Sequence, residues 1–461
     1  MAELADLSGK DPKAAQTFLL RALNDTKEQA NLATLSRVHQ AYGQWLMEIA
    51  AANPLITPPL ITPLIPIPPA KPRIVFVSEC LYDHPVGRLV QSFFRYYDPK
   101  ALEVFVVSAS GKQDAVVEAI QEHLPPGHFI DVAGQDARTV AQQIANLGAD
   151  ACIALDSHHR AKPLDLAVLA YLKTLHHPPM LATYLGYPFT SGLDLDAFII
   201  DQNLLPDATV DGRNDYYSEQ RLIGLPIGFC VEGMAVCEPS TLPFDRNGYL
   251  TFGTLNNPNK WCDESIAQWS ALLNATPNAK LLLGRPECLD SKFQAEQAAR
   301  FAEHGITRDR LIFTNNKEGQ DFRTLYDQID IAVDSYWNTG GATTLDALQC
   351  GVPVLNLEQP RGLRQPWNML SQAILYSVGL KDWVVGSQEA MCDRVEAYLQ
   401  NDAAQLRALR QALPQMVAQS SLADGRAYAA GLSQVLLDLA MPHWQKRQIN
   451  TSAQRGYYGT R

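Results

Sequence analysis

The feature that most constrains this chain is a long alternation of short apolar segments with amphipathic ones, which begins at Arg73. Apolar segments such as RIVFVS (73–78) and LEVFVVS (102–108) are each followed by residues whose apolar positions recur at helical spacing. Segments that are apolar throughout are typical of strands buried on both faces of a sheet. The alternation therefore predicts an α/β fold with parallel sheets covered by helices on both sides.

The alternation runs through the chain twice. The first run ends at the strand RLIGLP (221–226), and the second begins at Tyr249 with LTFGTL and continues into helices that end near residue 439. Two successive doubly wound runs predict two Rossmann-like domains, 73–235 and 236–440. Because ligands of such folds bind at the carboxyl ends of the strands, we expect the site in a cleft between the two domains.

Three further segments flank these domains. Residues 1–52 predict a helical segment, with two helices between residues 12 and 51 that are either a remnant of a helical repeat or a cap on the next domain. Residues 53–72 (NPLITPPLITPLIPIPPAKP) predict a Pro-rich, extended linker. Residues 441–461 are expected to form a C-terminal tail.

Charge and cysteine content narrow the possible functions. The chain has 38 basic and 49 acidic side chains, a formal net charge of -11, which argues against a general binder of nucleic acid or anionic membranes. The eight cysteines form no C-x-x-C pair and show no zinc spacing, as in reduced intracellular proteins. The N-terminus lacks a basic region followed by an apolar one. We therefore expect a cytoplasmic protein without a metal site or a membrane span.

The segment NTGGATTLD (338–346) follows the buried segment IAVDS and opens a predicted helix. Gly341 lets the backbone approach a ligand closely. Thr343 and Thr344 place hydroxyls and backbone N–H groups at a helix N-terminus, which is a ready anion site. Asp346 is acidic and suits a sugar hydroxyl better than a phosphate. A glycine turn with threonine caps is an equally good interpretation of these residues by themselves.

Polar residues also follow other predicted strands. Asn257 and Lys260 come after LTFGTL, and Lys260 can reach a diphosphate as a point charge. Lys317 follows the strand RLIFT, where a nucleotide would lie in such a fold. His84 and His158 follow the first and fourth strands of the first domain, and histidine can act as a base near neutral pH. Each of these residues alone is also explained as a solvated or structural one.

A polar loop, LGYPFTSG (185–192), follows another strand of the first domain. Its Tyr187, Thr190 and Ser191 carry hydroxyls that can contact a phosphate or the backbone of an acceptor. A plain turn explains the loop equally well.

Taken in order, these motifs resemble glycosyltransferase family 41, which includes the O-GlcNAc transferases and the bacterial adhesin N-glucosyltransferases. The resemblance covers roughly residues 73–440. It implies a GT-B fold, a UDP-sugar donor as co-substrate without a further cofactor, inversion at the anomeric carbon and no metal. The matching segments are His84-Pro85, 185–192, Asp201-Gln202, Tyr217-Ser-Glu219, Leu225-Pro226, 252–260, Lys317 and Gly341-Ala-Thr-Thr-x-Asp346.

The resemblance also implies roles for the residues of the second domain. Lys260 resembles the family lysine on the donor diphosphate, and Lys317 resembles the lysine beside the uridine. Thr343 and Thr344 match the helix-start threonines on the phosphates. Asp346 matches the aspartate on the uridine ribose, which replaces the sugar hydroxyl suggested by its charge alone.

In the first domain, His84 resembles the family's active-site histidine, whose role as a base is debated, and His158 falls near a position that varies between His and Tyr. Two departures stand out. Ala342 replaces a histidine that many members have before the threonines, and residues 358–365 differ from the usual donor-side loop.

The sequence thus predicts a metal-independent, inverting glycosyltransferase that moves GlcNAc or a hexose from a UDP-sugar to a Ser, Thr or Asn side chain of a protein or peptide. Two alternatives remain open. The departures at Ala342 and 358–365 suggest a catalytically silent scaffold that binds a nucleotide sugar. The missing tetratricopeptide array suggests a transferase that acts on a glycan or a small molecule.

Overall fold

The chain folds into two compact units in the computed structural model. The first unit comprises Leu32–Gly233 and the chain from Asp424 onward, and the second comprises Met234–Ala423. The structure describes residues 32–56, 71–159, 163–186, 188–206, 209–234, 237–317, 320–360 and 364–458. The first of the two predicted N-terminal helices and most of the Pro-rich linker lie outside these residues.

The first unit contains a seven-stranded sheet in which every paired strand is parallel to its neighbour. Its strands are β1 (Arg73–Ser78), β2 (Glu103–Ser108), β3 (Phe129–Asp131), β4 (Ala151–Ala154), β5 (Met180–Tyr184), β6 (Ala197–Asp201) and β7 (Leu222–Leu225). Their order is β3-β2-β1-β4-β5-β6-β7. Five helices belong to the same stretch of chain: α1 (Leu32–Ala52), α2 (Pro85–Tyr96), α3 (Ala115–Glu122), α4 (Ala137–Leu147) and α5 (Leu164–Leu172).

The second unit repeats this plan with six parallel strands. They are β8 (Thr251–Thr254), β9 (Lys280–Gly284), β10 (Leu311–Thr314), β11 (Ile331–Val333), β12 (Val354–Leu357) and β13 (Val384–Val385), in the order β10-β9-β8-β11-β12-β13. Its helices are α6 (Pro243–Asn247), α7 (Asp263–Ala275), α8 (Ser291–Ala302), α9 (Ala342–Gln349), α10 (Pro366–Ser377) and α11 (Gln388–Gln419), the last interrupted at residues 400–403.

The last helix, α12 (Gly425–Tyr458), returns to the first unit, which corrects the boundary expected at residue 440. Its apolar residues Leu432, Leu436 and Leu439 join the core on one face of the first sheet, with Ile74 and Phe76 of β1. Burying each leucine contributes about 1.5–3 kcal/mol, which stabilises this packing. Residues 441–458, expected to be a tail, continue the same helix.

The opposite face of the first sheet is covered by α5, and α1 packs against α5. Val75 and Val77 alternate with the two β1 residues on the first face and pack with Tyr42, Leu46 and Ala50 of α1. The helical N-terminal segment therefore completes the core of the first unit.

Each sheet reverses its strand order at one point, between β1 and β4 in the first unit and between β8 and β11 in the second. Such switch points are where doubly wound sheets bind ligands, at the carboxyl ends of the strands. No helix in the described part of the chain combines the length and the hydropathy needed to cross a membrane.

Candidate functional site

The segment from Gly340 to Thr344, called the glycine–threonine corner below, lies at the switch point of the second sheet. The chain leaves β11, passes through Gly340 and Gly341 and starts α9 at Ala342. A Cβ atom on Gly340 would lie 2.4 Å from Thr344 Oγ1, and one on Gly341 would lie 2.6 Å from Leu370 Cδ2. A larger residue at either position would therefore require the side chain of Thr344 or Leu370 to move. Because the first N–H groups of a helix have no partner within the helix, the corner can bind an anion.

Asp334, directly after β11, is the buried centre of this corner. Its Oδ1 accepts hydrogen bonds from Gly340 N at 2.8 Å and Asn256 Nδ2 at 3.1 Å, and its Oδ2 accepts one from Asn356 Nδ2 at 3.0 Å. These donors follow or lie in β8, β11 and β12, so one carboxylate ties three strands to the glycine turn. Burial raises the pKa of Asp334 above its ordinary value.

Lys260 reaches the same corner from the turn after β8. Its Nζ donates to the carbonyl oxygen of Thr339 at 2.9 Å, one residue before Gly340. Burial lowers the pKa of Lys260 to about 8, while the negative charge of Asp334 acts in the opposite direction. A cation therefore stands close to the N-terminus of α9, and both favour a bound anion.

The hydroxyls of the two threonines are bound within the protein. Thr343 Oγ1 donates to Asn256 Oδ1 at 2.6 Å, and Thr344 Oγ1 lies 3.1 Å from Ser371 Oγ. An anion would therefore meet the backbone N–H groups of the first turn more directly than these hydroxyls. The corner borders a small open pocket whose lining includes Asn256, Asp334, Thr343 and Thr344.

The other residues that the sequence suggested for binding the UDP-sugar differ in their exposure and contacts. Asn257 is exposed, and its Oδ1 accepts from Asn259 N at 3.0 Å, so it caps the turn that carries Lys260. Lys317 is exposed on the loop after β10, an edge strand separated from β8 by β9. Asp346 has no exposed surface. Their contacts to uridine and ribose stay predictions.

In the first unit, His84 caps the N-terminus of α2. Its Nδ1 accepts a hydrogen bond from Val86 N at 3.3 Å, and the side chain is half-buried. A neutral ring that accepts at Nδ1 carries its proton on Nε2. In this tautomer His84 offers a substrate a donor.

His158 is fully buried, which corrects the expectation that it acts on a substrate. Its Nε2 lies 3.1 Å from the carbonyl oxygen of Ser191, and its ring lies 4.2 Å from that of His39 on α1. Burial lowers the pKa of His158 to about 4, so the ring is neutral at physiological pH and can donate to Ser191. We assign His158 to holding the loop 188–192 in place.

Thr190 and Ser191 are also fully buried, so their hydroxyls do not form an acceptor or phosphate loop. Both bind the buried carboxylate of Glu219: Thr190 Oγ1 at 2.9 Å and the backbone N–H of Ser191 at 2.7 Å. Because a buried carboxylate needs donors, these residue types are explained by the structure of the loop. Tyr187 lies outside the described residues.

The same loop is pressed against α1. Gly192 has φ +81°, and a Cβ atom there would lie 1.8 Å from the carbonyl oxygen of His39. We expect Gly192→Ala to lower the free energy of unfolding of the first unit by about 3 kcal/mol, since backbone strain and a backbone clash add. Urea unfolding followed by circular dichroism measures this loss.

Gly134→Ala is the matched control for this prediction. Gly134 also has a positive φ, +78°, but no heavy atom lies within 4 Å of the added Cβ. The free energy of unfolding of Gly134→Ala should fall only by the cost of the left-handed backbone conformation, about 1–2 kcal/mol. Equal losses in the two variants would show that α1 does not press on the loop.

Sequence reasoning missed three residues that organise these sites: Asp334, Asn256 and His39. The sequence signal for Asp334 is an acidic residue directly after an apolar strand, at the carboxyl end where doubly wound sheets bind ligands. His39 lies among Leu35, Val38 and Tyr42 on the apolar stripe of α1, a placement that indicates burial.

A metal site was not expected from the sequence. Among the described residues, no group of three or more His, Cys, Asp or Glu side chains is arranged to hold a metal ion.

Comparisons with known proteins agree with the predicted family. The model of glycosyl transferase family 41 matches residues 242–432. The chain is 27% identical over 377 residues to the probable UDP-N-acetylglucosamine–peptide N-acetylglucosaminyltransferase SPINDLY of Eustoma exaltatum subsp. russellianum, covering 80% of this chain and 39% of that protein. It is 25% identical over 299 residues to the probable enzyme SEC of Arabidopsis thaliana, which bears the same activity name, covering 62% of this chain and 29% of that protein. The chain thus spans well under half the length of these relatives.

A solved structure shows the same fold. A point mutant of the O-GlcNAc transferase of Thermobaculum terrenum superimposes with a TM-score of 0.73 at 22% identity, covering 96% of this chain and 88% of that one. The prediction of two doubly wound, Rossmann-like domains with an N-terminal helical segment is confirmed.

Proposed function

We propose, from the match of residues 242–432 to the model of glycosyl transferase family 41, that this chain transfers a sugar from a UDP-sugar to a protein or peptide side chain. The observation that carries the proposal is the position of Lys260. The structure brings this cation to the glycine corner at the start of α9, 79 residues further along the chain. The names of the relatives, which specify UDP-N-acetylglucosamine and peptide, support this donor and acceptor class.

The reaction is a displacement at the anomeric carbon with inversion. An acceptor hydroxyl or amide forms the new bond, the bond to the diphosphate oxygen breaks, and UDP leaves with the electron pair. The acceptor's proton passes to the departing diphosphate or to water. Lys260 and the N–H groups at the start of α9 stabilise the negative charge that develops on the leaving group. Because they supply positive charge at the diphosphate, we propose that the reaction needs no metal.

Of the two histidines that the sequence suggested, His84 is the one whose side chain is partly exposed and can contact a substrate. With Nδ1 occupied by Val86 N, its Nε2–H can orient a substrate oxygen. We therefore propose that His84 contacts and positions a substrate.

A transfer assay tests this function and separates it from a silent scaffold. Radiolabelled UDP-GlcNAc and UDP-glucose are incubated with the chain and a protein lysate, with and without EDTA. The proposal predicts labelled protein from at least one donor, unchanged by EDTA. Binding of UDP without turnover would favour the scaffold, and labelling of a glycan or small molecule alone would favour the other acceptor class.

The pKa of Lys260 predicts how the reaction depends on pH. The lysine must be protonated to offset the diphosphate, and its pKa of about 8 means that this form is lost as the pH rises above that value. We expect kcat/KM for the donor to fall roughly tenfold per pH unit on the alkaline side.

Lys260→Arg provides the control for this profile, because a guanidinium stays charged throughout the accessible range. Its alkaline decline should disappear or move to higher pH, even if the overall rate is lower. A wild-type profile that stays flat well above pH 8, or one shared by Lys260→Arg, would rule out Lys260 as the titrating group.

A further inference from the structure

Two cysteines of the second unit, Cys237 and Cys350, lie side by side although 113 residues separate them in the chain. Their Sγ atoms are 2.7 Å apart. Cys350 ends α9 and is 3% exposed, while Cys237 is half-buried and can be reached by a small solute.

The backbone on both sides holds this pair together. Gly351, next to Cys350, has φ +78°, and a Cβ atom there would lie 2.7 Å from Pro239 Cβ and 2.6 Å from the carbonyl oxygen of Arg410. The fully buried Arg410 donates to the carbonyl oxygen of Ser240 at 2.8 Å. The segment 237–240 therefore packs directly on the end of α9 and is anchored there.

The distance between the thiols suits bond formation. A disulfide has a sulfur–sulfur distance of about 2.0 Å, so the two atoms need to approach by less than an ångström. The two Cys side chains already lie on facing segments.

The charges around the pair make the two thiols unequal. The hydrogen bond that Cys350 donates, together with the positive charge of Arg323, holds the pKa of Cys237 below its ordinary value, although burial, Asp321 and Asp327 oppose this. The same hydrogen bond and burial raise the pKa of Cys350. Cys237 is thus the nucleophile of the pair, since the thiolate is the reactive form.

We propose that Cys237 and Cys350 form a reversible oxidation site that reacts with hydroperoxides and closes into a disulfide. The Cys237 thiolate attacks the terminal peroxide oxygen, the O–O bond breaks, and a sulfenic acid forms on Cys237. The alkoxide, or hydroxide in the case of hydrogen peroxide, leaves and takes up a proton. The Cys350 thiol then attacks that sulfur, the S–S bond forms and water leaves. An external thiol restores both cysteines by exchange.

The site is separate from the proposed sugar transfer, and it places a covalent link at the C-terminus of the helix whose N-terminus forms the glycine corner. The disulfide ties α9 to the segment 237–240. Because the readout is thiol chemistry, the outcome does not depend on whether the chain is a transferase.

The test treats the reduced full-length chain with hydrogen peroxide, blocks the remaining thiols and maps the peptides by mass spectrometry. We expect the mass of the chain to fall by two hydrogen atoms and the number of free thiols to fall by two. A cross-linked peptide should join Cys237 to Cys350, and dithiothreitol should reverse the change fully. Cys350→Ser should stop at a sulfenic acid on Cys237 that dimedone traps.

Cys392 is the matched control, because it is also half-buried but its pKa is raised by burial and by Asp393 and Glu389. In the wild-type chain at neutral pH, iodoacetamide should label Cys237 about tenfold faster than Cys392. Cys392→Ser should form the same disulfide as the wild type. Equal labelling rates, or oxidation without the cross-linked peptide, would overturn the proposal even if the serine variants do not fold.

Discussion

Replacing Lys260 by alanine is expected to lower the rate of sugar transfer about 10²–10³-fold, the usual cost of losing one preorganised charge contact in a transition state. Lys260 stands beside the corner where the diphosphate would leave, and the backbone N–H groups of α9 alone would then have to offset its charge. Because the missing interaction grows as charge develops, kcat should fall more than the donor affinity. Initial rates at saturating and limiting UDP-sugar separate the two effects.

Lys292→Ala is the control for this substitution. Lys292 belongs to the same unit, its side chain is 86% exposed, and it pairs only loosely with Glu296 on the surface of α8. It should transfer sugar at the wild-type rate. Unchanged turnover in Lys260→Ala would refute the assignment of Lys260 to the leaving group.

Replacing Asp334 by alanine is expected to have the largest effect on stability, about 3–5 kcal/mol in the free energy of unfolding of the second unit. The change leaves the buried donors Gly340 N and Asn356 Nδ2 without their acceptor, and Asn256 Nδ2 keeps only its hydrogen bond to Ser335 Oγ. It also removes the negative charge near Lys260. Asp334→Asn should lower the free energy of unfolding by less, since its amide oxygen still accepts hydrogen bonds.

Tryptophan fluorescence during urea unfolding measures this loss, because five of the chain's seven tryptophans belong to the second unit. The indole of Trp269 even donates to the main-chain oxygen of Asp334 at 2.8 Å. Asp245→Ala is the comparison, since that carboxylate pairs with Arg407 at the surface and should lose far less. A loss of similar size in the two variants would contradict the role of Asp334 as the centre of the corner.

The fold could be predicted from the sequence because a local pattern determines it. Strands buried on both faces need apolar residues at every position, and the chain from Arg73 shows this pattern strand after strand. The return of α12 to the first unit could not be predicted in this way. Its amphipathic pattern shows that it packs on a sheet, but both sheets offer an apolar face, and the choice depends on residues such as Ile74 that are distant in sequence.

The corner of the second unit was also predictable, since Gly341 and the helix start after β11 form a local motif. The sequence could not show which polar side chains have their hydrogen bonds taken up by other groups of the protein. Thr190, Ser191 and His158 have the residue types of a ligand loop, yet Glu219 and the carbonyl oxygen of Ser191 take up their hydrogen bonds. Such pairings depend on strand order and loop packing, which no local pattern encodes.

Titration calorimetry with UDP, UDP-GlcNAc and GDP is the most direct test of a UDP-sugar site built on Lys260 and the start of α9. We predict saturable binding of UDP and the UDP-sugar, binding of GDP that is at least about tenfold weaker, and a similar weakening of UDP binding in Lys260→Ala but not in Lys292→Ala. UDP binding of equal strength in Lys260→Ala and the wild type, or binding of GDP in place of UDP, would contradict the proposed site.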